Sequence, residues 1–432
     1  MKPLTAIIIG AGDRGTTYAR IMAALKDKFQ VVGVADPHKA PRDRVKEVWN
    51  LSDDACYTSW ETILQQPRMA DVAVIATMDH DHYFPALKAI ELGYHLLLEK
   101  PAAPTIRECA DIVHAAEAKG VHVLVCHVLR YTPFYGRVKQ LLMSDAIGEI
   151  MSVTAVEAVG NVHQSHSFVR GNWHSEQEST PMLLQKCCHD MDILQWLISK
   201  PCKKIQSFGA LTYFRPENAP AGAPKRCADG DCPIADTCPY NCIKLYYEDK
   251  NNDWFRGAAT NGISAAPKPT DEEVLKALQT TDYGLCVFQA NNDVVDHQVV
   301  NMEFADSVTI SFSMNAFNAG GRYIRIFGTK GELYANMSDS EITIYTFADK
   351  KYSTVPVEIK GSEHSGHGGG DEGIISELYD YISGNYTGYR AADIATSVKN
   401  HLLCFAAEQS RHEDTVVDLD DFFAKYGIPN QY

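Results

Sequence analysis

Residues 4–9, LTAIII, run without a break into Gly10, Gly12 and Gly15 and then into a helical pattern, and no other feature restricts the fold as strongly. In a G-x-G-x-x-G so placed, the first glycine permits a tight turn and the second lets backbone approach a pyrophosphate. The third lets helix and strand pack closely. The helix start then offers unpaired N–H groups to an anion. The next apolar run, QVVGVAD, ends at Asp36, 21 residues beyond Gly15. A carboxylate there accepts hydrogen bonds from an adenosine ribose and repels a 2′-phosphate, so NAD is expected. Lys39 and Arg42 nearby keep NADP as the lesser expectation.

Five short apolar runs, LTAIII, QVVGVAD, DVAVIAT, YHLLLE and VHVLVC, alternate with amphipathic stretches up to about Cys126. Runs without polar alternation suit strands buried on both faces, so residues 1–127 are predicted to form a doubly wound α/β domain with a parallel sheet. From residue 128 to 432 the texture changes. VTISFSM puts Val308, Ile310, Phe312 and Met314 on one face, and KKIQSFGALTY, VVNMEFAD and RYIRIFG alternate similarly. The period is that of half-solvated strands, which predicts an α+β domain with a large, open, mostly antiparallel sheet. Its uncovered face favours a homo-oligomer. Residues 215–282, dense in Pro, Gly, Asn and Cys, are expected to be an irregular insertion.

Composition narrows the partners. Forty basic and 55 acidic residues leave a net charge of −15, with no basic stripe to hold a polyanion, so nucleic acid is not expected. No apolar run approaches membrane-spanning length, and the N-terminus has no secretory pattern. Twelve cysteines without such a signal point to reduced thiols in a cytoplasm.

Glu99-Lys100-Pro101 follows the run YHLLL directly, which puts Lys100 at the carboxyl edge of the sheet, where ligands of doubly wound folds collect. A lysine there can hold a substrate hydroxyl or a nicotinamide ribose, and its charge favours a developing alkoxide. Together, the glycine fingerprint, ATMDHDHYFPALKAIELGYHLLLEKP from Ala76, RYTPFY from Arg130 and FGTKGEL from Phe327 resemble the Gfo/Idh/MocA oxidoreductase family. The resemblance implies a Rossmann domain followed by an open-sheet substrate domain. It also implies hydride transfer between a nicotinamide cofactor and a sugar, sugar derivative or cyclitol carbinol. With it come expected cofactor contacts at Gly10, Gly12, Asp13, Arg14, Gly15, Asp36, Thr77, His82, Glu99 and Lys100, and a substrate contact at Arg130.

PMLLQKCCHDMDILQWLISK is a helical pattern in which Gln185 and His189 lie one turn apart, with Lys186 beside them. Many relatives are similar here, with an Asp four residues before a His that serves as general base. This chain keeps His189 but has Gln185 in the Asp position, and a glutamine cannot stabilise an imidazolium by charge. Helical spacing points Asp190 and Asp192 elsewhere. His189 and Lys100 are therefore the expected catalytic pair, with Gln185 and Lys186 as substrate contacts. Trp173 in SFVRGNWH offers an indole to a sugar face. HSGHGGGDEGI places His364 and His367 in a glycine-rich loop next to a helical pattern, and because similar loops in sugar-active relatives border the active site, His367 is an expected substrate contact.

Cys227, Cys232, Cys238 and Cys242 fall within RCADGDCPIADTCPYNC. Four thiols so close suggest one structural Zn²⁺. Spacings of four, five and three intervening residues differ from a standard zinc ribbon and leave an iron–sulfur cluster as the alternative. Three functions stay open: an NAD-dependent dehydrogenase, a glycoside hydrolase that recycles bound NAD, and a dinucleotide and sugar sensor without turnover. Retention of both Lys100 and His189 favours an enzyme.

Overall fold

The structure, a computed structural model, describes residues 2–261, 263–264, 268–357 and 366–431. The first sheet comprises β1 (Leu4–Ile9), β2 (Phe29–Ala35), β3 (Cys56–Tyr57), β4 (Val72–Ile75), β5 (His95–Leu98) and β6 (Val123–Val125), in the order β3-β2-β1-β4-β5-β6. Every pairing in it is parallel. All four residues of β4 are buried, as a sheet covered on both faces requires. Strand order reverses between β1 and β4, so the loops after these two strands open a crevice at the carboxyl edge. β3 had no signal in the sequence because two residues are too few to show a period.

The second sheet runs β14-β13-β12-β11-β7-β10-β9-β8-β15. Its strands are β7 (Ile150–Ala158), β8 (Cys202–Ala210), β9 (His297–Phe304), β10 (Thr309–Asn315), β11 (Gly321–Gly328), β12 (Gly331–Asn336), β13 (Glu341–Thr346), β14 (Lys351–Pro356) and β15 (Val417–Asp418). Its β7–β10 ladder is parallel and the others are antiparallel. On β10 the predicted alternation holds, with Ile310, Phe312 and Met314 buried against the helices Cys188–Ile198 and Ile394–Glu413. The opposite face leaves Phe208, Val299, Tyr323 and Tyr334 exposed.

The chain then returns to the first domain. In the helix Gly370–Ile382, Ile374, Ile375, Leu378 and Tyr379 share a core with Ile8, Tyr18 and Phe29. The Val125 N–H donates to the Ala392 carbonyl at 2.9 Å. The second half of the chain thus supplies a covering layer to the dinucleotide-type sheet.

The 215–282 segment is more ordered than its composition suggested. It holds the helices Asp253–Thr260 and Asp271–Thr280, the latter opened by a reciprocal cap between Thr270 and Glu273. Cys242, Tyr246, Phe255, Val274 and Leu278 form a small core of their own. Among the described residues no helix is long and apolar enough to cross a membrane. All twelve cysteines are free thiols.

Candidate functional site

The glycine turn has the steric logic expected of it. Gly10 sits at φ +84°, and a Cβ there would lie 2.4 Å from the Ala76 carbonyl oxygen. A Cβ on Gly15 would meet the Gly10 carbonyl oxygen at 1.9 Å, so helix and turn touch backbone to backbone. A Cβ on Gly12 would meet nothing within 4 Å, and Gly12 caps the helix α1 (Asp13–Ala24) without a side-chain bond. Bare backbone at an open helix N-terminus is a cradle for an anion. Asp36 closes the turn from the end of β2. Its Oδ2 accepts from the Ala11 N–H at 2.7 Å and its Oδ1 from the His38 N–H at 2.8 Å. Neither nearby cation stands free: Arg42 donates to the Asp36 carbonyl, and Lys39 pairs with Asp43.

A buried charge cluster lies across the turn. Glu99 Oε1 accepts from Arg14 Nε at 2.8 Å and from the Tyr18 hydroxyl at 2.6 Å, and its Oε2 accepts from the Lys100 N–H at 3.0 Å. Burial opposes the charge of Glu99, but Arg14 and Lys100 prevail and hold its carboxyl below the usual range. Arg14 also makes a two-point pair with Asp371, at 3.0 and 2.6 Å. Arg14 is therefore a clasp between α1 and the helix Gly370–Ile382, and its guanidinium is committed to protein partners. His82 is fully buried, with Nδ1 2.7 Å from the Pro101 carbonyl and Nε2 3.1 Å from that of Thr77. It ties the ends of β4 and β5 together, so the direct cofactor contact expected of it becomes a positioning role. Thr77 itself donates to the Asp81 carbonyl.

The second domain meets this edge at Lys100, whose Nζ donates to the Gln185 carbonyl at 2.8 Å. One turn along, His189 is 4% exposed, and its Nδ1 is buried without a partner. Burial, with Lys100 and His127 close by, pushes its imidazole well below the ordinary histidine range, which leaves the ring neutral. The aspartates beside it are committed elsewhere, as helical spacing implied: Asp190 takes Arg322 at 2.9 Å, and Asp192 takes Arg130. The ring of His367 lies 5.9 Å from that of His189, and its Nδ1 is 3.2 Å from Asp371. Behind His189, His127 follows at 5.9 Å, then His401 at 5.4 Å from His127. His127 and His401 had no motif around them, and only the fold shows that they belong to this file. The His401 Nε2 accepts from the Ala102 N–H at 3.0 Å, which fixes its tautomer, and burial lowers it to about 3. Lys186 reaches Glu157 at 3.6 Å, and burial lowers its ammonium against the pull of that carboxylate.

Two expectations change, for Arg130 and for the cysteines. Arg130 is 2% exposed and holds Asp192 through Nε and Nη2 at 2.7 and 2.8 Å. A guanidinium sealed in the core with a carboxylate is a structural pair, so the substrate contact assigned to Arg130 does not hold. Trp173 packs against Phe168 with its indole N–H buried and unpartnered. Its segment does border the cleft, because Ser179 donates to Asp79 beyond β4 at 2.9 Å. For the cysteines, no three His, Cys, Asp or Glu side chains among the described residues stand close enough to hold one metal ion. The single-zinc expectation for Cys227, Cys232, Cys238 and Cys242 therefore lacks its geometry. His364 lies outside the described residues.

Comparison with known proteins agrees with this architecture. Residues 4–127 match the oxidoreductase family NAD-binding Rossmann fold of Gfo/Idh/MocA, and residues 139–419 match its C-terminal alpha/beta domain. A putative oxidoreductase, YteT of Bacillus subtilis, is 23% identical over 72% of this chain and 72% of its own length. Levoglucosan dehydrogenase of Pseudarthrobacter phenanthrenivorans is 28% identical over 35% of this chain and 40% of its own. The 2,7-anhydro-N-acetylneuraminate hydratase of Escherichia coli is 25% identical over 47% of this chain, which spans about half of that relative (51%). In three dimensions the fold is that of levoglucosan dehydrogenase in complex with NADH, at TM-score 0.69 and 16% identity, over 96% of this chain and 99% of that one. With both of its domains matched in order, the chain belongs to the Gfo/Idh/MocA oxidoreductase family.

Proposed function

We propose that this oxidoreductase is an NAD-linked dehydrogenase of a carbinol on a sugar, sugar derivative or cyclitol. The observation that carries the reading is the convergence of a lysine ammonium, Lys100, with the neutral imidazole of His189 beside a dinucleotide turn. Gly12 and the α1 N–H groups would hold the pyrophosphate, with Asp36 on the adenosine ribose. The commitment of Lys39 and Arg42 to other partners favours NAD over NADP. When bound, the nicotinamide supplies a hydride acceptor. His189, neutral and without a carboxylate of its own, takes the hydroxyl proton, while the Lys100 charge steadies the oxygen as the proton leaves. Gln185, Lys186 and Trp173 orient the polyol. Relatives named levoglucosan dehydrogenase and inositol 2-dehydrogenase support the substrate class.

The test is NADH absorbance with a panel of sugars and cyclitols. His189→Ala is expected to lose roughly 10²–10⁴ of turnover with NAD affinity unchanged. Near-normal turnover in that variant would remove His189 from the chemistry. A second reading draws on the His367–Asp371 pair against His189. A second imidazole with its own carboxylate suits a glycoside-cleaving cycle in which NAD is recycled, and turnover with no net NADH would mark it. The exposed face with Phe208, Val299, Tyr323 and Tyr334 favours a homo-oligomer through the open sheet, which light scattering on the purified protein would detect. Twelve free thiols suit a reducing cytoplasm.

A further inference from the structure

An isolated bridge pairs Arg226 with Leu285, and the Cys286 N–H donates to the Lys225 carbonyl at 3.0 Å. These contacts carry Cys286, far along the chain, to the cysteine-rich segment. A cavity of about 190 Å³ lies there, and the cysteines on its wall are Cys227, Cys232, Cys238 and Cys286. Cys242 is not on the wall. It is fully buried in the neighbouring apolar core, and its N–H donates to the Cys227 sulfur at 3.4 Å.

The cavity also has a buried cation. Arg170 is 2% exposed and lines the wall, with Nε and Nη2 held by the carbonyls of Leu285 and Tyr240 at 2.7 Å each. Its Nη1 makes no well-formed hydrogen bond, although the Tyr246 phenol stands close to the guanidinium. A guanidinium does not lose its proton, so a buried one with a donor unspent calls for an anionic partner.

The shared cavity wall and the buried guanidinium bear on which metal centre fits. A tetrahedral zinc needs its sulfurs about 2.3 Å from one point. No three candidate ligands among the described residues converge in that way. In an iron–sulfur cluster each cysteine binds its own corner, so the sulfurs stand apart around a body of inorganic sulfide and iron. Four thiolates around such a body leave it anionic, which suits Arg170. The N–H of Cys242 on the Cys227 sulfur is the kind of bond that tunes such a ligand.

We propose that Cys227, Cys232, Cys238 and Cys286 bind an iron–sulfur cluster with Arg170 as its charge partner. Each thiol gives up its proton on ligation. The cluster fastens the insertion to the strand-leading segment before β9, apart from the dinucleotide turn in the first domain.

The full chain is produced and purified without oxygen, then assayed for iron, acid-labile sulfide, zinc and visible charge-transfer absorbance. Iron and sulfide in equal amounts, with a band that bleaches on reduction, are expected. Cys286→Ser and Cys232→Ser, at two half-buried positions, each lose most of the iron and sulfide while NAD binding persists, and Cys242→Ala keeps them. Arg170→Gln retains the cluster and shifts its potential to more negative values. Zinc without sulfide, no metal at all, or full iron and sulfide in Cys286→Ser overturns the cluster assignment. An unchanged potential in Arg170→Gln removes that residue from it.

Discussion

Lowering the pH from about 7.5 to about 5.5 is predicted to destabilise the native chain sharply, through imidazoles that it buries without charge. Burial lowers His401 and His166 to about 3 and pushes His127 and His189 well below the ordinary range. The unfolded chain protonates each of these near 6.5, while the folded chain does not. Below 6.5 the unfolded state therefore binds more protons, and stability falls as pH falls. An imidazole held near 3 costs about 1.4 kcal/mol by pH 5.5, so His401 and His166 together cost about 3 kcal/mol, and His127 and His189 add in the same direction. Domains usually have about 5–15 kcal/mol in total, so the change is large. Glu157 and Asp192, whose carboxyls burial raises, act in the opposite direction at the acid end of the window. Urea midpoints across this range measure the effect. His127→Leu is the control: neither ring nitrogen of His127 has a hydrogen-bond partner, so the leucine forfeits no bond and should flatten the slope by about one proton. A midpoint independent of pH, or a His127→Leu slope equal to that of the parent, would refute the neutral-imidazole account.

Two glycines of one turn should fail in different ways. Gly12→Val, into open space, is expected to leave thermal stability unchanged and weaken NAD by more than about tenfold, or ~1.4 kcal/mol, in calorimetric titration. Gly10→Ala, at φ +84° against the Ala76 backbone, is expected to cost about 1–3 kcal/mol of stability in urea unfolding. Asp371→Asn leaves the Arg14 guanidinium with Glu99 as its one carboxylate, and a loss of about 1–3 kcal/mol, the scale of a hydrogen bond to a charged group, is expected in the same assay.

Local pattern sufficed wherever the physics is local. The apolar runs and the glycine spacing announce buried parallel strands and a phosphate turn, because strand period and backbone clearance are properties of a few adjacent residues. β10 shows its open-sheet character in seven residues for the same reason. The roles of Arg130, Arg14 and His82 were not legible. A charged or polar side chain near a motif looks alike whether it faces a ligand or a buried partner, and those partners are Asp192, Asp371 and two carbonyls at other places in the chain. The imidazole file and the cysteine quartet have the same character. His401 reaches His127 because the helix Ile394–Glu413 folds back on the first domain, and Cys286 joins Cys227 through one bridge between distant segments. Burial and long-range pairing depend on which elements pack together, so the tertiary structure alone decided which of these groups are charged, which are sealed in and which can meet a ligand.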